Sequence, residues 1–249
     1  MPRLKRILWC ITGAGGQLRS VLRGFLSLKE SRLDLEVGVA FSRAGVEVAR
    51  IYGVLDKASS VATGGRYGGV YRDSSSSGVA EDGVPIGGRV SLGRYDVVVV
   101  APATSNTLAK IAHGVADTLP TIAASQALKT GIPLLILPSD YAEESVTTMP
   151  CRIIDEMCNR CRLCVDACPY DAIHVLPGGD VRIDYGLCRG CERCVAACPV
   201  EAIRCWEEST VSPSPIDLEN LARLKATSGV YIANSSGELI EKLRILLGI

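Results

Sequence analysis

Cysteines at a repeated spacing are the residues of this sequence whose chemistry is most clearly marked. Eight of the eleven cysteines form two copies of the pattern C-x2-C-x2-C-x3-C-P, one beginning at Cys158 and the other at Cys188, 30 residues later. The same offset maps Pro169 onto Pro199, so the segment is an internal duplication. Three cysteines at successive intervals of three wrap a tight loop whose sulfurs converge, which suits three corners of an iron-sulfur cube. The fourth corner must come from elsewhere in the chain.

The segment from about Cys151 to Trp206 resembles a bacterial-type two-cluster ferredoxin, in which the cysteine before the proline ligates the cluster of the other half. The resemblance implies two 4Fe-4S clusters. Their ligands would be, for the first, Cys158, Cys161, Cys164 and Cys198 and, for the second, Cys188, Cys191, Cys194 and Cys168. A pair of structural zinc sites is the alternative, because C-x2-C also suits tetrahedral zinc. Zinc needs neither the third cysteine of each loop nor a fourth before proline, so the repeated pattern favours clusters.

Three cysteines and both histidines lie outside this pattern. Local clustering of the cysteines and a compartment expected to be reducing favour metal ligation over disulfides. Cys10 lies in an apolar strand and is expected to be a small core residue. Cys151 and Cys205 flank the duplication without counterparts at the 30-residue offset, and are interpreted as non-ligands. His113 and His174 are near no ligand pattern, and neither is expected to be a catalyst.

The remainder of the sequence alternates apolar runs with amphipathic segments. Apolar runs predict strands at residues 6–12, 35–42, 95–103, 132–140 and 229–235. Apolar residues at helical spacing predict helices at residues 17–31, 44–53, 104–131, 216–226 and 236–249. The continuous valines of 97–100 are typical of a parallel sheet that is covered on both faces. The alternation predicts an α/β fold with a doubly wound parallel Rossmann-like sheet, interrupted by the cysteine-rich segment and resumed after it.

A glycine loop, TGAGG, follows the first predicted strand. Such a loop places backbone amides and a helix N-terminus against an anion. Leu18 stands where the dinucleotide fingerprint has its third small residue, so the dinucleotide match is weak. The second strand ends at Ser42 and Arg43 instead of at an acidic residue for a ribose diol. The Ser42 hydroxyl suits a phosphate monoester, whereas Arg43 could meet the 2'-phosphate of NADP, and these residues leave both ligands open.

The stretch APATSNTLAKIAHGVADTL, residues 101–119, decides between these ligands. It resembles the flavoprotein family of homo-oligomeric flavin-containing cysteine decarboxylases, in which a P-A-T/S-A-N-T segment follows a buried strand and precedes K-I-A-x-G-x-A-D. The resemblance extends over most of residues 1–145 and implies a Rossmann-like domain that binds FMN. It implies that the phosphate and ribityl chain contact Thr12, Gly13, Ala14, Gly15, Ser42 and Thr107, and that the isoalloxazine lies over Pro102, Ala103, Thr104, Ser105 and Asn106. From the residues alone, Thr104 or Ser105 also suits a helix N-cap, and both roles can hold at once.

Two departures from this family bear on the reaction. The decarboxylases carry a histidine shortly before the strand corresponding to YDVVVV, whereas PIGGRVSLGRYD has none. Their asparagine-containing motif after the next strand is replaced by PSDYAEE. Cysteine decarboxylation is therefore disfavoured, and redox chemistry of the flavin is expected. No catalytic residue is assigned, although Tyr67, Tyr71 and Asp140 are candidates for the proton donor.

The whole-chain arrangement resembles that of the archaeal dihydromethanopterin reductases (acceptor), a group of iron-sulfur flavoproteins. The resemblance implies an FMN-binding domain of residues 1–148 and 213–249, and an inserted α+β bacterial-type ferredoxin domain of residues 149–212. It implies that electrons pass from an external donor such as ferredoxin, through the clusters and FMN, to a dihydropterin, with dihydromethanopterin giving tetrahydromethanopterin. It also implies homotrimers around shared FMN sites or a larger homo-oligomeric cage.

Two other classes of function remain as alternatives. One is an electron-transfer iron-sulfur flavoprotein without a substrate of its own. The other is a flavin-dependent decarboxylase or folate-type reductase in which the clusters are regulatory. The physical argument for a relay is that clusters pass single electrons, whereas reduction of a C=N bond needs a hydride equivalent, and flavin converts between the two.

Composition limits the remaining partners. The 27 Lys and Arg residues balance the 27 Asp and Glu residues, so the chain has no net positive charge to attract nucleic acid or an anionic membrane surface. No apolar run approaches the roughly 20 residues that cross a bilayer. The apolar N-terminal run is short and passes into the glycine loop, unlike a signal peptide, so a cytoplasmic protein is expected. Residues 63–89, rich in Gly and Ser, are interpreted as either a solvated linker or a mobile loop over a ligand.

Overall fold

The structure, a computed structural model, describes residues 4–31, 34–73, 84–142 and 144–249. Its strands, numbered along the chain, are β1 (Lys5–Ile11), β2 (Leu35–Phe41), β3 (Val70–Arg72), β4 (Val97–Ala103), β5 (Leu134–Pro138), β6 (Ser145–Thr148), β7 (Arg152–Ile153), β8 (Ile173–Val175), β9 (Val181–Ile183), β10 (Ile203–Arg204), β11 (Glu208–Val211) and β12 (Val230–Ile232). Its helices are α1 (Leu18–Ser31), α2 (Arg43–Ile51), α3 (Leu55–Val61), α4 (Ile86–Ser91), α5 (Ser105–Ala112), α6 (Leu119–Thr130), α7 (Leu163–Asp166), α8 (Arg193–Ala196), α9 (Pro215–Lys225) and α10 (Ser236–Leu247). A 3-10 helix spans Asp155–Met157.

A parallel sheet of six strands, in the order β12-β5-β4-β1-β2-β3, forms the centre of the described structure. β1 lies between β2 and β4, with Trp9 opposite Val39 on one side and Val99 on the other. Every residue of β2, β4 and β5 is buried, as expected for parallel strands that helices cover on both faces. The predicted α/β class and doubly wound parallel sheet are confirmed.

Helices pack against both faces of this sheet. On one face Trp9 stacks on Phe25 of α1, with ring centroids 4.2 Å apart, and α10 packs beside α1. On the other face α4, α5, α6 and α9 cover a core that includes Leu8, Val98 and Ile136. Because successive strand residues point to opposite faces, the uninterrupted apolar runs of β1 and β4 supply both cores.

The predicted helix over residues 104–131 is two helices, α5 and α6. Gly114 adopts a left-handed φ of 73°, which ends the first of them soon after Ala112. Thr118 starts the second with a capping box to Thr121, and Pro120 lies in its first turn. Gly114 and Pro120 therefore divide a segment whose composition favours one continuous helix.

The segment 63–89 is only partly the irregular loop that its composition suggests. Val70–Arg72 forms β3, an edge strand parallel to β2, and α4 begins at Ile86. The loop interpretation is therefore wrong for these parts, and residues 74–83 lie outside the described residues. A three-residue strand is too short to leave a period-2 pattern in the sequence.

A two-stranded antiparallel ribbon connects the sheet to the cysteine-rich insert. β6 pairs with β11, and β7 pairs with β10 in the same register, from Ser145 opposite Val211 to Ile153 opposite Ile203. Between these two pairings Cys151 and Cys205 face each other and form a disulfide. The general expectation against disulfides is therefore wrong for this pair, whereas the interpretation of both residues as non-ligands agrees with the disulfide. Because Cys151 and Cys205 have no counterparts in the duplication, sequence spacing gave no sign that they meet.

The duplication in the sequence recurs in the backbone of the insert. Left-handed φ values repeat at the same offset in three pairs of residues, Arg160 (60°) with Gly190 (56°), Arg162 (66°) with Glu192 (64°), and Asp171 (50°) with Glu201 (52°). Each cysteine loop contains a four-residue helix, α7 or α8, and β8 pairs with β9 as a hairpin. The predicted α+β ferredoxin-type insert is confirmed. None of the helices in the described parts of the chain is long and apolar enough to span a bilayer.

Candidate functional site

The ends of β1 and β4 meet at the carboxyl edge of the sheet, at the point where the strand order reverses. Thr12, which is 1% exposed, joins them, because its Oγ1 donates to Pro102 O (2.8 Å) and accepts from Thr104 N (3.1 Å). Ser139 N, after β5, donates to Ala103 O at 2.8 Å. Hydrogen bonds therefore hold the ends of three strands together at the edge where the sequence predicts a ligand.

The glycine loop after β1 packs tightly against its neighbours. A Cβ placed on Gly13 would lie 2.9 Å from Ala44 Cβ, and one placed on Gly15 would overlap the ring of Tyr52. Neither glycine has a left-handed φ. Close approach, and not an unusual backbone conformation, therefore requires glycine at these two positions.

Three helices begin at this edge of the sheet. Ser42 Oγ caps α2 by accepting from Gly45 N at 3.0 Å, and Thr104 Oγ1 caps α5 by accepting from Thr107 N at 3.1 Å. α1 begins just after the glycine loop. The free N–H groups of a first turn and the helix dipole both favour an anion. The edge therefore has the donor chemistry that a phosphate needs, and the expected N-cap role of Thr104 is confirmed.

The other predicted flavin contacts belong to the end of β4 and the first turn of α5. They are buried at Pro102, Ala103 and Thr107, partly exposed at Thr104 and Ser105, and exposed at Asn106. Ala14, in the glycine loop, is buried as well. The structure thus gathers the loops after β1, β2 and β4 at one edge of the sheet.

One of the three candidate proton donors, Asp140, lies at this edge. Its Oδ2 accepts from Ser105 Oγ and from Ser139 Oγ, both at 2.8 Å. Tyr67 and Tyr71 are instead buried in the core of the opposite half of the sheet, at 9% and 5% exposure. Asp140 is therefore the best placed of the three for chemistry at the carboxyl edge.

The second predicted ligand set lines a single cavity in the insert. Cys188, Cys191 and Cys194 border it together with Cys168, which comes from the other half, and with Cys151 of the disulfide. Burial raises the pKa of the Cys188 thiol, and the thiolates of Cys168 and Cys191 raise it further. Burial also raises the pKa of Cys194 to about 11. Thiolates that repel one another in a buried cavity need a cation between them, as a metal cluster provides.

The first predicted ligand set is gathered in the same way. Burial raises the pKa of Cys164, and the thiolates of Cys158, Cys161 and Cys198 add to this increase, so the fourth cysteine again comes from the other half. Among the residues that the structure describes, no three His, Cys, Asp or Glu side chains lie close enough to hold a single metal ion. A four-iron cube holds its thiolates further apart than a single ion does.

The second cysteine loop rests directly on the sheet domain. A Cβ on Gly53, just after α2, would lie 2.8 Å from Gly190 O. Arg50 Nη1 donates to Gly186 O at 2.5 Å and to Cys188 O at 3.3 Å. A backbone contact and the partly buried guanidinium of Arg50 therefore join α2 to the loop that carries the second ligand set.

Tyr52 and Trp206 form an aromatic contact beside this junction. Their ring centroids are 5.2 Å apart, and Tyr52 Oη donates to Thr148 O at 2.5 Å. Trp206 Nε1 donates to Glu192 Oε1 at 2.6 Å, and the Arg19 guanidinium lies 4.2 Å from the Trp206 ring centroid. Sequence reasoning missed both aromatic residues, since neither belongs to a motif and only the docking of the insert brings them together.

Comparison with known families assigns both parts of the chain. The family model described as Flavoprotein matches residues 1–152, more than half of the chain. The chain belongs to the Flavoprotein family. A second model, described as a 4Fe-4S dicluster domain, matches residues 157–202, which contain all eight cysteines of the duplication. The predicted membership of the flavoproteins is confirmed.

This flavoprotein is similar over nearly its whole length to a protein of Methanosarcina mazei named dihydromethanopterin reductase (acceptor). The two are 35% identical over 239 residues, which cover 95% of this chain and 98% of the relative. A relative of the same name from Methanocaldococcus jannaschii is 40% identical over 169 residues, 68% of this chain and 67% of the relative. The predicted resemblance to this group of proteins is confirmed.

A solved structure has the same overall arrangement. It is the crystal structure of Burkholderia xenovorans DmrB in complex with FMN, described as a cubic protein cage for redox transfer. It is 26% identical to this flavoprotein and superposes with a TM-score of 0.61, covering 100% of this chain and 98% of that one.

Proposed function

We propose that this flavoprotein is an FMN-dependent oxidoreductase that takes electrons from an external low-potential donor through two 4Fe-4S clusters and reduces a dihydropterin. The substrate that its relatives support best is dihydromethanopterin, which would give tetrahydromethanopterin. The main support for the proposal is that one chain contains both a flavoprotein sheet and a 4Fe-4S dicluster segment. A relative named for this reaction shares that arrangement along 95% of the chain.

The carboxyl edge of β1 and β4 fits FMN. The glycine loop of residues 12–15, the Ser42 and Thr107 hydroxyls, and the N-termini of α1, α2 and α5 would hold the phosphate and ribityl chain. The segment of residues 102–106 would lie beneath the isoalloxazine, with the buried Pro102 and Ala103 as its apolar part. FMN, when bound, supplies the exchange between single electrons and a two-electron reduction.

The insert fits two clusters with crossed ligation. Its two sets of four thiolates each combine three cysteines of one loop with the cysteine before proline of the other. We divide the chain accordingly into an FMN-binding domain of residues 1–148 and 213–249, and a ferredoxin-like domain of residues 149–212.

We propose that Asp140 donates a proton to the substrate during the reduction. Reduction of a C=N bond requires a proton as well as a hydride equivalent. Asp140 lies beside Ser105, at the edge where the ring of FMN would be bound, and two hydroxyls hold its carboxylate in place. A carboxyl group in this position can hold a proton next to the substrate and take a new one from solvent.

We propose the partners on the same resemblance. The electron donor would be a small low-potential iron-sulfur protein such as ferredoxin, in the cytoplasm. The description of DmrB as a cubic cage supports a homo-oligomer for this flavoprotein, built from trimers around the FMN sites.

Anaerobic purification followed by iron and flavin analysis and a turnover assay tests the proposal. We expect one FMN and two four-iron clusters per chain, and reduction of dihydropterins when a reduced viologen supplies the electrons. Cys164→Ser is expected to abolish this donor-driven turnover while FMN stays bound, and Cys10→Ala, which changes a cysteine outside the duplication, is expected to leave it intact. Full turnover by Cys164→Ser would contradict the relay. Oxidation of the donor with every pterin unchanged would instead favour an electron-transfer protein without its own substrate.

A further inference from the structure

The two halves of the insert are duplicates, yet they differ in what they touch. The second cysteine loop contacts the FMN-binding domain through Gly190 and through Cys188 O, which accepts from Arg50. In the first loop Arg160 instead forms an ion pair with Asp180 inside the insert, at 2.8 Å. The described contacts of the first loop stay within the insert. Only the second loop therefore touches the domain that is proposed to bind FMN.

The sequence departs from its own repeat at the point of contact. Gly190 occupies the position of Arg160 in the first half, and the two share a left-handed φ of 56° and 60°. The backbone conformation therefore does not require glycine, since arginine adopts it in the other half. A Cβ on Gly190 would instead lie 2.5 Å from Ile51 O and 2.8 Å from Gly53 N. Glycine is needed here because the second loop presses against the end of α2.

We infer that the second ligand set, Cys188, Cys191, Cys194 and Cys168, is the one that exchanges electrons with FMN, and that Tyr52 and Trp206 form the contact between them. This inference rests on the proposed function. The first set, Cys158, Cys161, Cys164 and Cys198, receives electrons from the external donor.

Side-chain packing and one hydrogen bond link the glycine loop to the second cysteine loop. Gly15 packs against the Tyr52 ring, which lies 5.2 Å from the Trp206 ring, centroid to centroid. Trp206 donates to Glu192, which lies between Cys191 and Cys194 in the second loop. Because the rate of electron transfer falls steeply with distance, the centre that these contacts join to the glycine loop carries the exchange.

The partly buried guanidinium of Arg50 favours electron flow in one direction. Arg50, from the FMN-binding domain, donates to Cys188 O of the second loop. A positive charge beside a cluster favours its more negative, reduced state and so raises its reduction potential. Electrons then run downhill from the first cluster to the second, one at a time, with one oxidised as the other is reduced. Two such electrons and two protons from solvent reduce FMN, and the low-potential donor is oxidised by two electrons in return.

Two equivalent cysteines, one in each half, allow a matched test. Cys161 and Cys191 are both exposed and occupy the same place in the repeat. Holoprotein carrying Cys161→Ser or Cys191→Ser is first analysed for iron and FMN, and electron paramagnetic resonance identifies the remaining cluster. Each protein is then mixed with reduced ferredoxin, and the flavin absorbance and the reduced-cluster signal are followed on the same time axis.

The two variants are expected to differ in where electrons accumulate. With Cys191→Ser, the first cluster becomes reduced and stays so while flavin reduction slows at least tenfold. With Cys161→Ser, entry of electrons from the donor is lost, as expected for Cys164→Ser, and no reduced cluster accumulates ahead of the flavin. Accumulation with Cys161→Ser, or its absence with Cys191→Ser, overturns the inference.

A second pair of variants keeps every cysteine, in case loss of one cluster unfolds the insert. Arg50→Gln is expected to lower the midpoint potential of the second cluster and to leave that of the first cluster unchanged. Arg43→Gln, on the same helix but paired with Glu47 in solvent, is expected to move neither. Equal shifts of both clusters, or no shift, with Arg50→Gln would overturn the inference. A protein that shows this routing but reduces no pterin would refute the proposed function alone.

Discussion

Thr12 joins the glycine loop to the segment that ends β4 and begins α5. Its single hydroxyl both donates to Pro102 O and accepts from Thr104 N, and the side chain is buried. Removing the hydroxyl would leave a buried carbonyl and a partly buried N–H group without their partner. An unsatisfied buried polar group costs about 1–3 kcal/mol.

Thr12→Val is therefore expected to lower the free energy of unfolding by about 2 kcal/mol. The same change is expected to weaken FMN binding, because the spacing between the glycine loop and the end of β4 is no longer fixed. Thr12→Ser keeps the hydroxyl and serves as the control. Urea unfolding and fluorescence titration with FMN measure the two effects, and a valine variant as stable as the serine variant would show that the hydroxyl has no such role.

Gly15→Ala tests the close packing of the glycine loop. The added methyl would overlap the Tyr52 ring, and overpacking of this kind costs about 1–3 kcal/mol. A Cβ on Gly237, in the first turn of α10, meets only Ser235 Oγ at 3.9 Å, so Gly237→Ala is the matched control and is expected to be neutral or slightly stabilising. Thermal unfolding compares the two variants. If they unfold at the same temperature, Tyr52 does not fill the space beside Gly15.

At this scale the sequence predicted residues that belong to a motif and missed those that do not. Thr12, Gly15 and Thr104 were identified because TGAGG and PATSNT have specific letters at fixed positions after buried strands. Tyr52 and Trp206 stand alone in the sequence. Their contact depends on how the insert docks, which no local pattern encodes.

The antiparallel ribbon is the element that fixes the insert to the sheet. Beyond its backbone pairing, it is closed by the Cys151–Cys205 disulfide, which spans a sequence separation of 54 residues. Thr148 Oγ1 of the ribbon also donates to Gly16 O of the glycine loop at 2.9 Å. The ribbon therefore ties the cysteine-rich segment to the predicted flavin loop.

Reduction of the disulfide is expected to destabilise the insert by about 2–4 kcal/mol, the usual contribution of such a cross-link. Anaerobic thermal unfolding with and without a phosphine reductant measures the effect. The double variant Cys151→Ala/Cys205→Ala is expected to lose the response to reductant, whereas Cys10→Ala is expected to keep it. An undiminished response in the double variant would mean that other cysteines are responsible.

Glu207 gives the ribbon a dependence on pH. Arg152 and Arg204 lie 2.7 and 3.0 Å from its carboxylate and lower the pKa of Glu207 below its ordinary 4.5. Because the folded-state pKa is the lower one, this stabilisation is complete above about pH 4.5 and is lost as the pH falls through the folded-state pKa. Glu207→Gln is expected to flatten the acid limb of a plot of urea midpoint against pH. Glu208→Gln, which removes the same charge one residue later, is expected to keep that limb, and equal profiles would rule out the Glu207 contribution.

Long elements were predictable, whereas several short ones were not. β2 and β4 were evident because mostly apolar runs of seven residues, with four consecutive valines in β4, suit a doubly covered parallel sheet. β3, with three residues, and the ribbon strands β6 and β11, with four each, are too short for any periodicity to stand out. The division of residues 104–131 into α5 and α6 depends on Gly114 and Pro120, two local signals within a segment whose overall composition favours helix.

In the whole molecule, the insert is continuous with the sheet only through the ribbon. Thr148 and Glu208 are directly opposite each other, so the two chain segments that enter and leave the insert are adjacent. Replacement of residues 149–207 by Asn-Gly would join them with a two-residue hairpin turn. The resulting protein is expected to keep the parallel sheet and bind FMN, to contain no iron, and to lose turnover driven by ferredoxin. Flavin and iron analysis with circular dichroism tests this, and failure to fold would show that the sheet needs the insert for its stability.

The adjacency of these two ribbon strands bears on how such a chain could have arisen. One in-frame gene insertion between Thr148 and Glu208 suffices to add the cysteine-rich segment to an ancestral flavoprotein sheet, because the recipient needs neither a new strand order nor a new terminus. Later exchange of the inserted segment by recombination at the same two points would leave the sheet unaltered. Related lineages could thus share one sheet domain while differing only in the inserted gene segment.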